Sequence, residues 1–231
     1  ANSYRALGLK SAIAKITKLP VTHIVLSHEH YDHVGGSELF EQAKIIVQEK
    51  ALPVFELDVL GLAPKSIDKT FKDSYSVKMG QTVVEILHFG FPSDGIANSV
   101  IHLPKERLVF SADFYEDNEI VSKNYIDAFN ALGARATLNR LVSLNPKHAI
   151  ASHSPNADVD DLKVAANFYN DLYKITKAEL DKANAQGYEA IQTFSQTFPK
   201  ALKLEKYKHL NNYKDLYRHV ERMIESILHG G

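Results

Sequence analysis

Four side chains of the metal-binding kind fall within six residues: His28, His30, Asp32 and His33, in the run Ser27-His-Glu-His-Tyr-Asp-His33. The apolar stretch at residues 23–27 reads as a short buried strand. Gly35-Gly36 follow it, then a helix-like stretch at residues 37–42. The cluster therefore occupies a loop at the end of a strand, where side chains converge from several directions. Three imidazoles and a carboxylate this close together have little structural use. They suit one rim of a metal centre, and their number suits a double one. Chance clustering among the chain's 11 histidines is the competing explanation. An expression tag is excluded, because the run is internal and not contiguous.

His-Glu-His-Tyr-Asp-His resembles the His-x-His-x-Asp-His signature of the metallo-β-lactamase superfamily of metallohydrolases. The resemblance extends over residues 9–155. It implies an α/β fold, the metallo-β-lactamase-like αββα sandwich. It also implies more ligands downstream: a third histidine, then a metal-bridging aspartate, then a last histidine. Residues 108–113 look like the strand that ends in the bridging Asp113, and residues 149–153 like the strand that delivers His153.

The third histidine is where this chain departs from the pattern. Residues 88–95 read His-Phe-Gly-Phe-Pro-Ser-Asp-Gly, and counting back from Pro104 and Asp113 puts Asp94 in its place. A one-residue slip puts Pro92 or Ser93 there, while His88 lies early, inside the preceding strand. Asp94-Gly95 also reads as an ordinary turn. By the resemblance, His28, His30 and Asp94 would hold a first metal. Asp32, His33 and His153 would hold a second, with Asp113 bridging the two. A carboxylate in place of an imidazole adds negative charge, which weakens the ion as a Lewis acid and raises the pKa of its bound water. Oxygen at that place still suits zinc. A two-histidine, one-carboxylate set also suits non-haem iron.

Further function classes fall away on composition. Lys plus Arg is 27 and Asp plus Glu is 28, so no basic excess argues for nucleic acid. No apolar run approaches membrane-spanning length. With no cysteine, disulfides and thiolate metal sites are excluded. No signal peptide is visible, and periplasm and cytoplasm both stay open. At 231 residues and 45% hydrophobic content, the chain buries a substantial core.

Two domains are expected: residues 1–157, metallo-β-lactamase-like, and residues 158–231, a helical C-terminal extension. The superfamily fold normally places strands before the motif. Here residues 9–16 read as one amphipathic helix, with Leu9, Ala12, Ile13 and Ile16 on a face, leading to Pro20. The N-terminal strands are therefore expected to be missing from this chain. Strands are expected at residues 44–48 and 82–88, a hairpin at 99–103 and 107–110, a helix at 126–144 and a strand at 146–151. His102 and His148 read as sheet residues. Beyond Pro155, Leu162, Ala165, Ala166, Tyr169, Leu172, Tyr173 and Thr176 repeat at helical spacing, as do Tyr213, Leu216, Tyr217, Val220, Met223, Ile224 and Ile227. Gly187 breaks the chain between them and Pro199 marks a loop. His209, His219 and His229 receive no metal role. The tail packs on the sandwich, makes a homo-oligomer contact or caps the metal cleft.

The leading functional expectation is a dinuclear zinc hydrolase of a small-molecule ester, lactone, lactam or thioester, acting through a metal-bound hydroxide. Asp113 and Asp32 would be its catalytic carboxylates, Asp32 orienting the nucleophile or accepting its proton. Phe89, Phe91, Phe114 and Tyr115 adjoin ligand positions and would line an apolar pocket mouth for substrate. Each equally fits sheet core. The alternatives are a mononuclear non-haem iron oxygenase on the same fold and a non-catalytic metal-binding descendant.

Overall fold

Apolar residues in an unbroken run, such as Ile45-Ile-Val47, suit a strand covered on both faces. In the computed structural model, which describes residues 3–120 and 130–230, this run is the central strand of a parallel sheet. Strands β1 (His23–Val25), β2 (Lys44–Gln48) and β3 (Lys69–Phe71) lie in the order β1-β2-β3, with Ile24 opposite Ile45 and Ile46 opposite Lys69. Successive side chains of a strand point to opposite faces. Ile45 and Val47 accordingly pack with Leu26, Val34, Ala51 and Ala97 on one side. Ile46 packs with Phe71, Val77 and Ile86 on the other.

Val77 and Ile86 belong to an antiparallel sheet, β4 (Ser74–Met79), β5 (Thr82–Leu87) and β6 (Val100–Leu103). The core of this part of the chain therefore lies between two sheets. Gly80, at φ 63°, turns β4 into β5 in the left-handed region that glycine tolerates. His102 sits in β6 with Nδ1 2.9 Å from Glu85 Oε2 on β5, a cross-strand pair as a sheet residue makes. Helices α1 (Ser3–Ile16), α2 (Tyr31–Val34) and α3 (Leu52–Glu56) complete this unit, which comprises Ala1–Gly90 and Gly95–His102.

The amphipathic N-terminal helix forms, but its apolar face is not buried. Within α1 only Ala6 is buried, and Leu9 and Ile16 are 57% and 85% exposed. Two polar contacts tie it to the Ser37–Leu39 turn. Ser3 Oγ donates to Glu38, and Lys10 Nζ to the Leu39 carbonyl. The helix-like stretch at 37–42 is that single 3-10 turn, started by Gly36 at φ 90°.

The second unit comprises Phe91–Asp94 and Leu103–Gly231. It contains the parallel pair β7 (Leu108–Ser111) and β8 (His148–Ala151), with helix α4 (Ala131–Ser143) between them in sequence. A turn closed by Arg107 N–H to the Pro104 carbonyl leads into β7. The expected helix at 126–144 is observed as α4, with Leu138 and Leu141 fully buried; residues 126–129 lie outside the described residues.

Three long helices follow: α5 (Val159–Asn184), α6 (Tyr188–Ala201) and α7 (Leu216–His229). A capping box of Asp158 and Asp161 starts α5, satisfying amide donors that the first helical turn leaves open. Gly187, at φ 104°, separates α5 from α6 as expected. Pro199 does not mark a loop. It lies buried in the last turn of α6, where the missing N–H removes one bond close to the helix end. Among the described residues no helix is long and apolar enough to cross a membrane.

His219 on α7 is 3% exposed, its ring edge-on to Phe168 at 5.2 Å and Tyr169 at 5.9 Å between centroids. Burial pushes its pKa from 6.5 down to about 3. The unfolded chain thus takes up a proton that the folded chain refuses. Stability is fully present above pH 6.5 and is lost as pH falls toward 3, at ~1.4 kcal/mol per pH unit. Urea midpoints of the wild type and His219→Leu at pH 7 and pH 4.5 check this. The wild type should lose markedly more on acidification, and equal losses would refute the assignment.

Candidate metal centre

β1 ends at Val25, and the chain then turns through His28-Glu-His30 into the single helical turn α2. The cluster is thus part loop and part helix, because Asp32 and His33 sit on that turn. Ring centroids of His28 and His30 are 4.4 Å apart, as are those of His28 and His33. Asp32 Oδ2 lies 3.1 Å from His33 Nε2. Ser27 Oγ is 3.1 Å from His28 Nδ1. A hydrogen bond there is what fixes which ring nitrogen faces an ion. His28 is fully buried, whereas Asp32 is exposed.

In the second unit the register of β7 and β8 does the positioning. Ser111 is paired with Ala151, and Asp113 and His153 each come two residues later, so they emerge side by side. His153 Nε2 is 3.2 Å from Asp113 Oδ1. Asp113 adopts φ 61°, rare for a residue with a Cβ. Ser152 holds it there: its hydroxyl donates to the Asp113 carboxylate and accepts the Asp113 N–H at 3.2 Å.

Asp94 belongs to the same unit and is 1% exposed. It follows Pro92-Ser93, which lie against the start of α4. The Asn130 N–H donates to the Ser93 carbonyl at 3.0 Å, and Asn130 caps the helix through Gly133 N–H. Gly133 has no side chain because a Cβ would overlap the Pro92 carbonyl oxygen. Carboxylate oxygens of Asp94 and Asp113 come within 4.8 Å of one another. Two carboxylates that close and that buried repel unless a proton or a cation lies between them. The donor set, oxygen and imidazole nitrogen without thiolate, fits zinc and iron.

His88 stands just past β5 with Nδ1 2.8 Å from the Asn98 carbonyl and Nε2 3.3 Å from Lys50 Nζ. Burial lowers its pKa. It is not among the described residues whose donor atoms gather closely enough to hold a metal. His148 lies exposed at the start of β8. Of the four aromatic residues, Phe114 and Tyr115 are buried, Phe89 is half-buried and Phe91 is exposed. Glu29 went unread in the sequence, as the variable residue of the motif. It is buried, and its carboxylate accepts the N–H groups of Ile96 and Ala97.

Residues 3–153 match the family model described as the metallo-beta-lactamase superfamily. The chain belongs to the metallo-beta-lactamase superfamily. Membership supports a hydrolase. The fold agrees with solved superfamily structures. A metallo-beta-lactamase from Pontibacter korlensis superposes with a TM-score of 0.60 at 23% identity, covering 71% of this chain and 75% of that one. Metallo-beta-lactamase IND-7 superposes at 0.59 with 20% identity and the same coverage of each chain. At that identity the likeness is one of fold. No curated protein matches the chain. The superfamily match stops at 153, so α5, α6 and α7 lie beyond it.

Proposed function

We propose that this superfamily member is a dinuclear zinc hydrolase of a small-molecule ester, lactone, lactam or thioester. By the resemblance of the sequence to the superfamily pattern, His28, His30 and Asp94 would hold the first ion and Asp32, His33 and His153 the second, with Asp113 shared. The observation that carries the reading is the close approach of two enclosed carboxylates, that of the buried Asp94 and that of the half-buried Asp113, whose side chain is 5% exposed, in a chain with the His-x-His-x-Asp-His motif. Such a pair calls for a proton or a cation between its members, and in the superfamily a metal takes that place. When bound, the ions would provide an activated water near neutral pH and a positive charge facing the developing oxyanion.

The chain's own residues do the rest. Ser152 and His153 hold the Asp113 carboxylate in one orientation. Asp32, exposed beside His33, would orient the nucleophile or accept its proton. Phe89, Phe91, Phe114 and Tyr115 form the apolar side of the substrate site in this reading, with Phe91 the exposed member. Residues 1–157 are the hydrolase domain and 158–231 a helical extension. The end of the superfamily match at 153 and the start of α5 at Val159 support that boundary.

Metal analysis of protein purified without added metal tests the proposal. Zinc near two per chain is expected, with turnover on at least one member of a panel of esters, lactones, thioesters and β-lactams. Asp94 favours one further reading. Two histidines and a carboxylate suit a single non-haem iron. Iron near one per chain, with oxygen consumption and no hydrolysis, would replace the zinc proposal. Full metal loading without any turnover would make the protein a non-catalytic descendant.

A further inference from the structure

Glu29 separates two proposed ligands, His28 and His30, yet its own carboxylate bonds to backbone. Oε1 accepts the Ile96 N–H at 2.7 Å and Oε2 accepts the Ala97 N–H at 3.1 Å. Ser99 N–H adds a bond of 2.6 Å to the Ser27 carbonyl. Residues 96–99 are thereby fastened to residues 27–29 at three points. Inside this fastening, Gly95 N–H donates to Asn98 Oδ1 at 3.0 Å. A Cβ on Gly95 would stand 2.7 Å from both Glu29 carboxylate oxygens.

A motif position needed only for spacing accepts any solvated side chain. A carboxylate at 7% exposure does not belong there unless its bonds matter, because burying that charge is costly without strong donors. Two adjacent amides are such donors, and bonds to an ionised acceptor are about twice as strong as neutral ones. The bonded segment begins two residues after Asp94, with only Gly95 between them. Glu29 thus grips the backbone that carries Asp94 while standing on the backbone that carries His28 and His30.

The geometry points to Glu29 as a positioning residue for the first metal site, acting on Asp94 through Gly95, Ile96 and Ala97 with no atom of its own on the ion. This assignment rests on the two-ion reading above. Residues that orient metal ligands typically contribute 10- to 100-fold in affinity. Glu29 should therefore matter to one ion and not to the other.

The test is zinc titration of the full chain against a chromophoric chelator, with cobalt absorption as the spectroscopic readout. Wild type, Glu29→Gln, Gly95→Ala and Asp94→Ala are compared. Glu29→Gln keeps the shape but sets an amide against backbone donors. It should weaken one of two zinc affinities by roughly 10- to 100-fold, the same ion that Asp94→Ala weakens, and leave the other within experimental error. Added to Asp94→Ala, it should cause no further loss at that ion. Gly95→Ala retains the carboxylate but pushes it off its amides, so it should reproduce the effect and speed hydrogen exchange at Ile96 and Ala97. It decides the matter if Glu29→Gln does not fold. Two unchanged affinities, or equal loss at both ions alongside a lowered thermal midpoint, would overturn the assignment alone. A wild-type chain that binds no divalent metal would overturn the proposed function and this assignment with it.

Discussion

Gly133→Ala is expected to destabilise the protein by about 3 kcal/mol, at the upper end of what overpacking normally costs. The sign is not obvious from local propensity, because alanine in a helix is favoured over glycine by ~1 kcal/mol. The steric conflict decides it. The new Cβ would overlap the Pro92 carbonyl oxygen and stand 2.8 Å from its carbon, and neither is a side chain that can rotate away. Either α4 tilts, breaking the Asn130-to-Ser93 bond, or Pro92-Ser93 moves and takes Asp94 with it. Urea unfolding of the metal-free protein measures the cost. A midpoint at or above that of the wild type would show that the backbone yields more easily than this packing implies.

The second large effect concerns Asp113, the carboxylate proposed to be shared by two ions. Asp113→Asn should lower metal-dependent turnover by roughly 10³-fold, since an ion held in the correct place contributes several kcal/mol to the barrier. His33→Ala should do the same through the second ion. Neither loss should come from unfolding. Asparagine tolerates the left-handed backbone of Asp113 at φ 61°, and it removes one of two carboxylates that repel in the metal-free state. Metal-free Asp113→Asn should therefore melt no lower than metal-free wild type. Wild-type rates in either variant would show that the centre lies elsewhere.

How much of this was legible in the sequence depended on whether the signal was local. β2 coincides with the expected strand at residues 44–48, because three consecutive β-branched residues leave little choice. By contrast β4, Ser-Tyr-Ser-Val-Lys-Met, went unread, since serine and lysine dilute its alternation and only pairing with β5 makes it a strand. Helix α6 is hidden in the sequence by Gly187 and Pro199, residue types that ordinarily punctuate a chain. The stacked pair Phe194 and Phe198, four residues apart with centroids at 4.6 Å, was the available signal. In α5 the apolar spacing gave the buried face, but Phe168, 1% exposed, fell outside the stripe and lies against Tyr207 and His219.

The motif was different in kind. His28, His30, Asp32 and His33 lie close enough in sequence to crowd together whatever the rest of the chain does, so the order of residues alone determined that a cluster of metal-type side chains exists and to which superfamily it points. The tertiary structure decided that Asp113 and His153 stand side by side, that Asp94 is a buried carboxylate rather than a surface turn, and that Glu29 is fastened to backbone. Those facts depend on strand register, on a helix packed against Pro92 and on amides far along the chain. None of these leaves a mark within a few residues of the side chain it places.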